Sequence, residues 1–499
     1  MKIFTAPQIR EADLYTIRHE PIASLDLMER AARACRDWIM ARYAADTPFY
    51  IYCGMGNNGG DGLALTRLLH ESGYTVRAYV VFYREDPSAD CAHNLQRLEH
   101  AFGSGLHAVR NSEDLEEPVA GAVVVDALFG TGINRPPDGL ADAVIRWIND
   151  RDCPVIAIDM PSGLKADESS GEAAIVEATD TLSFECYKLA FLVPDNERFT
   201  GRISILPIGL HPGYLDAAYS PYSLTGPEDI RAIYRKRDLF SHKGTFGHAL
   251  LCAGSKGKMG AAVLSAKGCL RSGVGLLTCQ IPGCGYEVLQ TAVPEAMCSV
   301  DASASHWTEM PDDLSRYRAI GLGPGLGTAP ATREAFIRLL REAACPMVLD
   351  ADALNLLAQE NLWDIVPKGC VLTPHPGEFA RLFGPTSDGF AQLALLREKS
   401  RQHQVYIVLK GHYTCISTPE GTCTFNSTGN PGMATGGSGD VLTGILTGLL
   451  AQGYDPGLAA ILGVYLHGLA GDLAADALGE ESLLASDIAA YLGQAFKML

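Results

Sequence analysis

The sequence has no Cys-x-x-Cys pair, no Cys/His ligand cluster and no excess of positive charge. Its 14 cysteines are scattered, which argues against a thiolate metal site and makes reduced thiols in a cytosol the expectation. Acidic residues number 58 against 40 basic ones, for a net charge of −18, so nucleic acid and anionic membrane are disfavoured as partners. A phosphate ligand is still allowed, because backbone N–H groups and one well-placed Lys bind phosphate inside an acidic protein. The opening MKIFTAPQIREAD carries charge at Lys2, Arg10, Glu11 and Asp13 and has no apolar signal core. The longest apolar stretch, residues 457–470, is short for a bilayer and is interrupted by His467. No repeat period is evident.

What is present is a chain of 499 residues, 47% hydrophobic, which is too long for one ordinary core and implies two domains. Two helices open it, the second from about Leu25 to Tyr43 with Ser24 as its expected N-cap. Apolar runs at 48–53, 75–82, 122–129 and 154–160 then alternate with helical segments. Nearly continuous apolar strands alternating with helices imply a parallel sheet covered on both faces. The Pro/Gly-rich stretch 211–242, with the basic run Arg235-Lys236-Arg237, breaks the pattern. Strand-like runs resume at 248–254, 275–282, 319–323, 346–351 and 405–410, so a second α/β block follows.

In the first block, Gly54-Met55-Gly56-Asn57-Asn58-Gly59-Gly60-Asp61-Gly62 follows a strand and opens a helix. Five glycines in nine residues exceed the needs of a bare turn and let N–H groups approach an anion closely. The Gly54-x-Gly56-x-x-Gly59 spacing alone is a weak dinucleotide signal, with Glu85 and Asp86 after the next strand as ribose partners. Two further strand ends carry Asp126, before Gly130-Thr131-Gly132-Ile133-Asn134-Arg135-Pro136, and Asp159, before Pro161-Ser162-Gly163. Ligands of open α/β sheets bind at such carboxyl ends, although either Asp alone could be only a helix cap.

In the second block, Thr435-Gly436-Gly437-Ser438-Gly439-Asp440 precedes an apolar helical run. The glycines make an anion hole at a helix N-terminus, and Asp440 is placed to take a proton from an attacking hydroxyl. Lys410-Gly411-His412-Tyr413-Thr414 follows a strand and suits nucleotide phosphates. Thr373-Pro374-His375-Pro376-Gly377-Glu378 puts a Glu where a metal-bound water could be organised. Gly321 to Gly327 is a second close-approach loop, and Val348 to Asn355 ends a strand in Asp350 and Asp352.

The motifs NNGGDG, DALFGTGINR, IDMPSG and YKLAF resemble the NAD(P)HX epimerase domain over residues 1–215. The GGSGD set, with KGTFGH at 243–248, resembles the ribokinase-like superfamily and, more narrowly, the ADP-dependent NAD(P)HX dehydratase over residues 225–499. The resemblance implies an N-terminal Rossmann-like parallel-sheet domain followed by a ribokinase-like α/β domain. It implies epimerisation of R and S NAD(P)HX, then ADP-dependent phosphorylation and elimination of the C6 hydroxyl, giving NAD(P)H, AMP and phosphate. It implies that Asn57, Asn58, Gly59, Gly60, Asp61 and the loop Gly130, Thr131, Gly132, Ile133, Asn134, Arg135, Pro136 hold the epimerase substrate, with Asp159 as the proton-transfer group. It implies K+ held by Asn58, Asp126 and Ser162, and Mg2+ in the dehydratase domain. It implies that Ala261, Gly325, His375 and Asp440 contact the hydrate, and that Lys410, Gly411, His412, Tyr413, Thr414 and Gly439 contact ADP. NADHX and NADPHX are the expected substrates, the cytoplasm the expected compartment and a homo-oligomer the expected state. A vitamin or sugar kinase, a non-catalytic N-terminal nucleotide sensor and a Rossmann dehydrogenase are the competing readings.

Overall fold

The computed structural model describes residues 1–102 and 105–499, and the chain divides into two compact units. One holds residues 2–220 with 388–390; the other holds Met1, 221–387 and 391–499. The division therefore falls at Ser220–Pro221, inside the Pro/Gly-rich stretch.

The unit of residues 2–220 is built on seven parallel strands: β1 Phe49–Cys53, β2 Val76–Val81, β3 Leu106–Val109, β4 Val123–Ala127, β5 Val155–Ile158, β6 Asp180–Phe184 and β7 Arg202–Leu206. Their order is β3-β2-β1-β4-β5-β6-β7, so the chain reverses its direction of travel across the sheet between β1 and β4. Every residue of β1, β4 and β5 is buried, as strands covered on both faces require. The second helix starts one residue earlier than expected, at Ser24, and ends at Met40. Ser24 is thus its first residue rather than its cap, and the Asp26 carboxylate accepts the Ala23 N–H instead.

The other unit carries ten strands: β8 Tyr222–Leu224, β9 His248–Cys252, β10 Leu276–Ile281, β11 Met297–Val300, β12 Ala319–Leu322, β13 Met347–Leu349, β14 Val371–Leu372, β15 Tyr406–Leu409, β16 Cys415–Ser417 and β17 Cys423–Phe425. The order is β11-β10-β9-β12-β13-β14-β15-β16-β17-β8. It is parallel from β11 to β15 and antiparallel through β16 and β17, and its reversal lies between β9 and β12. The helix Pro456–Leu478 has 23 residues, and an 18-residue window of it has a mean hydropathy of 1.5, enough by length and composition to cross a membrane. It corrects the shorter apolar stretch read from sequence. Its Ala459, Leu462, Leu466 and Ala470 pack inside this unit's core cluster, so it is a core helix.

Two helices of this unit approach too closely for side chains. A Cβ on Gly444 of Ser438–Ala451 would lie 2.0 Å from the Ser265 carbonyl oxygen of Met259–Arg271, and one on Gly268 would lie 2.4 Å from the Val441 oxygen. This contact fixes where the two helices sit on the sheet. Overpacking such a site typically costs about 1–3 kcal/mol. Gly444→Val should cost at least the upper part of that range, read as a lowered urea midpoint. An unchanged midpoint would mean that the helix pair has room to separate.

Candidate functional site

In the first unit, the loops after β1 and β4 meet at the reversal of the sheet. Gly54 N–H donates to the Ala127 carbonyl at 2.9 Å. A Cβ on Gly54 would fall 2.1 Å from the Leu128 oxygen, and one on Gly59 would fall 1.8 Å from the Gly54 oxygen. The segment Asn57–Asp61 is therefore not a loop but the first turn of the helix Asn57–Glu71, drawn down onto the strand ends by glycine. Asn57 is exposed, Asn58 is buried, and Gly59 and Gly60 are buried. Both polar atoms of the Asn58 amide lack a hydrogen-bond partner, which in a buried group calls for a ligand. Tyr83 and Arg84 close over Met55, with the Met55 N–H donating to the Tyr83 hydroxyl at 3.2 Å and Arg84 donating to the Met55 oxygen.

Asp159 sits just past β5 with φ 63, a left-handed conformation that costs a non-glycine residue energy and is favoured only where surroundings enforce it. Its Oδ2 accepts the Thr131 N–H at 2.8 Å, and its Oδ1 lies 3.3 Å from Nζ of Lys188. Gly130 is needed between them, since a Cβ there would stand 2.6 Å from Asp159 Oδ2 and 3.4 Å from Asn58 Oδ1. Thr131 and Ile133 are partly exposed, whereas Gly132, Asn134, Arg135 and Pro136 form the open rim of this loop. Asp126 is fully buried; it accepts Ser162 Oγ–H at 2.6 Å, Ser162 N–H at 2.7 Å and Leu128 N–H at 3.1 Å. Burial raises its carboxyl to about 6 against those three hydrogen bonds. Ser162 Oγ also takes the Phe129 N–H at 2.8 Å, so Ser162 links Asp126 to the Phe129 backbone, while Asn58 lies beside Gly130.

In the second unit, the loops after β9 and β12 meet in the same way: Gly254 N–H donates to the Pro324 oxygen at 2.8 Å. Gly325, at φ 61, brings its backbone against Ala261, whose Cβ would be 3.0 Å from a Cβ on Gly325. Gly327 N–H donates to Asp352 at 2.8 Å, which ties this loop to the end of β13. Ala261 and Gly325 are thus neighbours.

Lys410, at the end of β15, lies 2.9 Å from Asp350 and 3.7 Å from Glu378. Burial works against its charge, but Asp350 and Glu378 outweigh it and raise its pKa. Asp350 also accepts Thr443 Oγ1–H at 2.7 Å, so the strand-end carboxylate fastens the helix Ser438–Ala451. A Cβ on Gly439 would stand 3.4 Å from Lys410 Nζ, which places the glycine turn beside the cation. Asp440, in the first turn of that helix, is raised to about 6 by burial and then by Asp350, against Lys410. His467 is buried, its pKa lowered by burial to about 4, and its Nε2 donates to the Ser438 carbonyl at 3.0 Å. A carbonyl only accepts, so the proton is on Nε2.

His375 caps the helix Pro376–Phe383; its Nδ1 accepts the Gly377 N–H, its N–H donates to Glu378, and its ring is half exposed. Glu378 is buried between that cap and Lys410. Gly411 and His412 are exposed, and Thr414 Oγ1 closes the turn onto the Gly411 oxygen at 2.8 Å. His412 and Tyr413 meet edge to face at 4.5 Å. Sequence reading passed over one group beside Asp159. Lys188 lay within the quoted YKLAF, where a cation among apolar residues was the available signal.

Residues 24–190 match the family described as YjeF-related protein N-terminus, and residues 249–494 match the family described as NAD(P)H-hydrate dehydratase. A bifunctional NAD(P)H-hydrate repair enzyme of Moorella thermoacetica is 36% identical, with 99% of this chain aligned to 96% of that one. A solved ribokinase-like superfamily protein of Enterococcus faecalis V583 is 29% identical and covers 56% of this chain and 98% of its own, with a TM-score of 0.50. The ADP/ATP-dependent NAD(P)H-hydrate dehydratase of Bacillus subtilis, co-crystallised with ATP and Mg2+, is 37% identical over 55% of this chain and 98% of its own, with a TM-score of 0.49.

The Lys410–Asp350 pair is asymmetric, and its variants should show it. The Asp350 side chain is 2% exposed and that of Lys410 22%. Removing one partner of a buried pair costs about 3–5 kcal/mol when the other charge is stranded. Lys410→Ala strands Asp350 and should reach that range in urea unfolding. Asp350→Asn should cost less, because Lys410 keeps Glu378 and access to water. The opposite order would contradict this reading of the pair.

Proposed function

The chain belongs to the family of bifunctional NAD(P)H-hydrate repair enzymes, and from that premise we propose how its two sites divide the repair. The first unit interconverts the R and S hydrates. The second transfers phosphate from ADP or ATP to the C6 hydroxyl of the S hydrate. Loss of that phosphate with a C5 proton then restores NAD(P)H; with ADP the second product is AMP. Phosphate leaves far more readily than hydroxide, which is the reason to use a nucleotide. A site built around one hydroxyl direction does not phosphorylate the other epimer, which is the reason to join the two activities.

The observation that carries this reading is the glycine turn beside Lys410 with Asp440 at its edge. The turn's N–H groups and Lys410 receive the transferred phosphoryl group, while Gly411 to Thr414 and Gly439 contact the nucleotide. Asp440 takes the C6 hydroxyl proton; a base raised to about 6 is ionised at neutral pH yet basic enough for the task. His467 holds the Ser438 carbonyl and so keeps the turn in place. Ala261, Gly325 and His375 contact the hydrate. Among the described residues no three His, Cys, Asp or Glu side chains gather as a metal site. Mg2+ bound with the nucleotide phosphates would neutralise their charge.

In the first unit Asp159 transfers the proton at C6, oriented by Thr131 and Lys188. Asn57 to Asp61 and Gly130 to Pro136 hold the hydrate. The unpartnered Asn58 amide oxygen, with Asp126 and Ser162, fits K+, because oxygen donors of low total charge suit a monovalent cation. Bound there, K+ would neutralise charge beside the substrate. The 14 free thiols fit a reducing compartment such as the cytoplasm, and a homo-oligomer is the proposed state.

Asp440→Asn should lower S-epimer repair by about 10²–10⁴ with nucleotide affinity nearly unchanged. The wild-type rate should fall tenfold per pH unit below about 6, as Asp440 is protonated. Wild-type speed in the variant would overturn the assignment. Asp159→Ala should leave S-epimer repair intact and turn recovery from an epimer mixture biphasic, with R slow. Adding the intact protein bearing Asp440→Asn should restore the fast phase. If both epimers were consumed at the wild-type rate, Asp159 would not be the proton-transfer group.

A further inference from the structure

One segment of the second unit holds apolar side chains out in water. Leu239 and Phe240 are each 98% exposed, more than any other large hydrophobic residue among the described residues. They do not sit on a slack loop, because both flanks are tied down. The Arg235 N–H donates to the Tyr454 hydroxyl at 3.0 Å, and its guanidinium donates to the Gly453 oxygen at 3.2 Å and lies 4.7 Å from the centre of the Tyr454 ring. Arg237 lies 4.0 Å from the centre of the Phe246 ring and donates to the Gly273 oxygen. The Ser241 N–H returns to the Asp238 oxygen at 3.2 Å, closing a turn with Leu239 and Phe240 at its tip. Beyond the turn, the Lys243 oxygen packs so close to Gly275 that a Cβ there would stand 1.7 Å away. An arm fixed on both sides, with two large apolar side chains at its tip, is preorganised for a partner.

Charge indicates which partner. The exposed cations Arg235, Lys236, Arg237 and Lys243 surround the tip against Asp238 alone, in a chain whose net charge is −18. The complementary surface lies on the same unit. From residue 411 to residue 496 the chain has no Lys or Arg. Within that stretch, the corner between the helices Pro456–Leu478 and Ala485–Lys497 carries the exposed acids Asp476, Glu480 and Glu481. Among them stand Leu478, 46% exposed, and Leu484, 59% exposed. The arm does not reach this corner in its own copy. It is anchored at Gly453 and Tyr454, just before the 23-residue helix, and the corner lies just after it, so about 33 Å of helix separates them at a rise of about 1.5 Å per residue.

We propose that the arm at residues 235–243 docks on a second copy of this chain, and that its seat is the acidic corner of that copy. Leu239 and Phe240 cover Leu478 and Leu484 of the other copy, while Lys236 and Lys243 face its Glu480 and Glu481. Two copies set with their Pro456–Leu478 helices antiparallel bring each arm onto the other's corner, so one two-fold interface satisfies all four surfaces. The apolar tip supplies the anchor, and the charges steer the encounter and fix its register. The inference gives the proposed homo-oligomer its contact and rests on that reading.

The test is sedimentation velocity of the full chain over a concentration series, with circular dichroism as the control for folding. The wild type should sediment as a dimer or a multiple of one, and should dissociate more readily as salt is added. Leu239→Ser joined with Phe240→Ser should weaken assembly at least about 10-fold, since buried aromatic anchors dominate such contacts. Lys236→Glu alone should weaken it, as should Glu480→Lys joined with Glu481→Lys. All three charge changes in one chain should regain assembly, which a merely structural role of these residues would not produce. If the wild type is a monomer throughout, the homo-oligomer and this contact fall together. If it assembles and the Leu239 and Phe240 variant assembles equally well, the contact alone falls. A triple charge variant that assembles no better than either parent would remove the corner as the seat and overturn the proposal. A monomeric wild type that co-sediments with anionic phospholipid vesicles through Leu239 and Phe240 would assign the arm to a membrane and overturn it too.

Discussion

Both sites depend on backbone meeting backbone where the sheet reverses direction. At the β1–β4 reversal, Gly54 lies against Leu128 and Gly59 against Gly54, at distances that exclude any Cβ. At the β9–β12 reversal, Gly254 donates to Pro324, and Gly323 at φ 126 lies 1.8 Å, from an ideal Cβ, to the Asp350 oxygen. Crevices outside the strand ends at such reversals are where open α/β sheets bind ligands. The glycines let loop amides reach into the crevice, and carboxylates then arrive from neighbouring strand ends. Asp159 follows β5, and Asp350 follows β13.

A chain with net charge −18 places its cations sparingly within these sites. Lys188 in one and Lys410 in the other are each held by a single close Asp and by buried surroundings. A buried lysine of this kind is a fixed charge, not a mobile surface one. It orients a carboxylate in the first unit and stands beside a glycine turn in the second. The same low solvent access raises Asp440 toward neutral pH, where a carboxyl group exchanges protons usefully.

The central strands were legible in the sequence because their burial on both faces writes an uninterrupted apolar run: β1, β4, β9 and β15 all fall inside the runs read as strands. β7 and β11 were not, because edge strands expose residues and dilute the signal. β14, β16 and β17 have only two or three residues each, too few for a period to register. The glycine loops were legible as places of close backbone approach because their composition exceeds what turns need. That Asn57 begins a helix was not, since the helix start is set by Gly59 packing on Gly54, a tertiary contact. That Glu378 caps a helix and lies beside Lys410 was not legible, since both contacts are set by the fold. Lys188 was not singled out because its partner, Asp159, is brought near it only by the fold.

The central claim is that one chain makes both hydrate epimers available and repairs them through a phosphorylated intermediate. It is tested most directly by supplying an R and S hydrate mixture with ADP or ATP and Mg2+, then counting NAD(P)H formed and inorganic phosphate released. The expected result is recovery of the whole hydrate pool, with one phosphate per NAD(P)H. Recovery of the S fraction alone, or a stable phosphoester in place of inorganic phosphate, would contradict it.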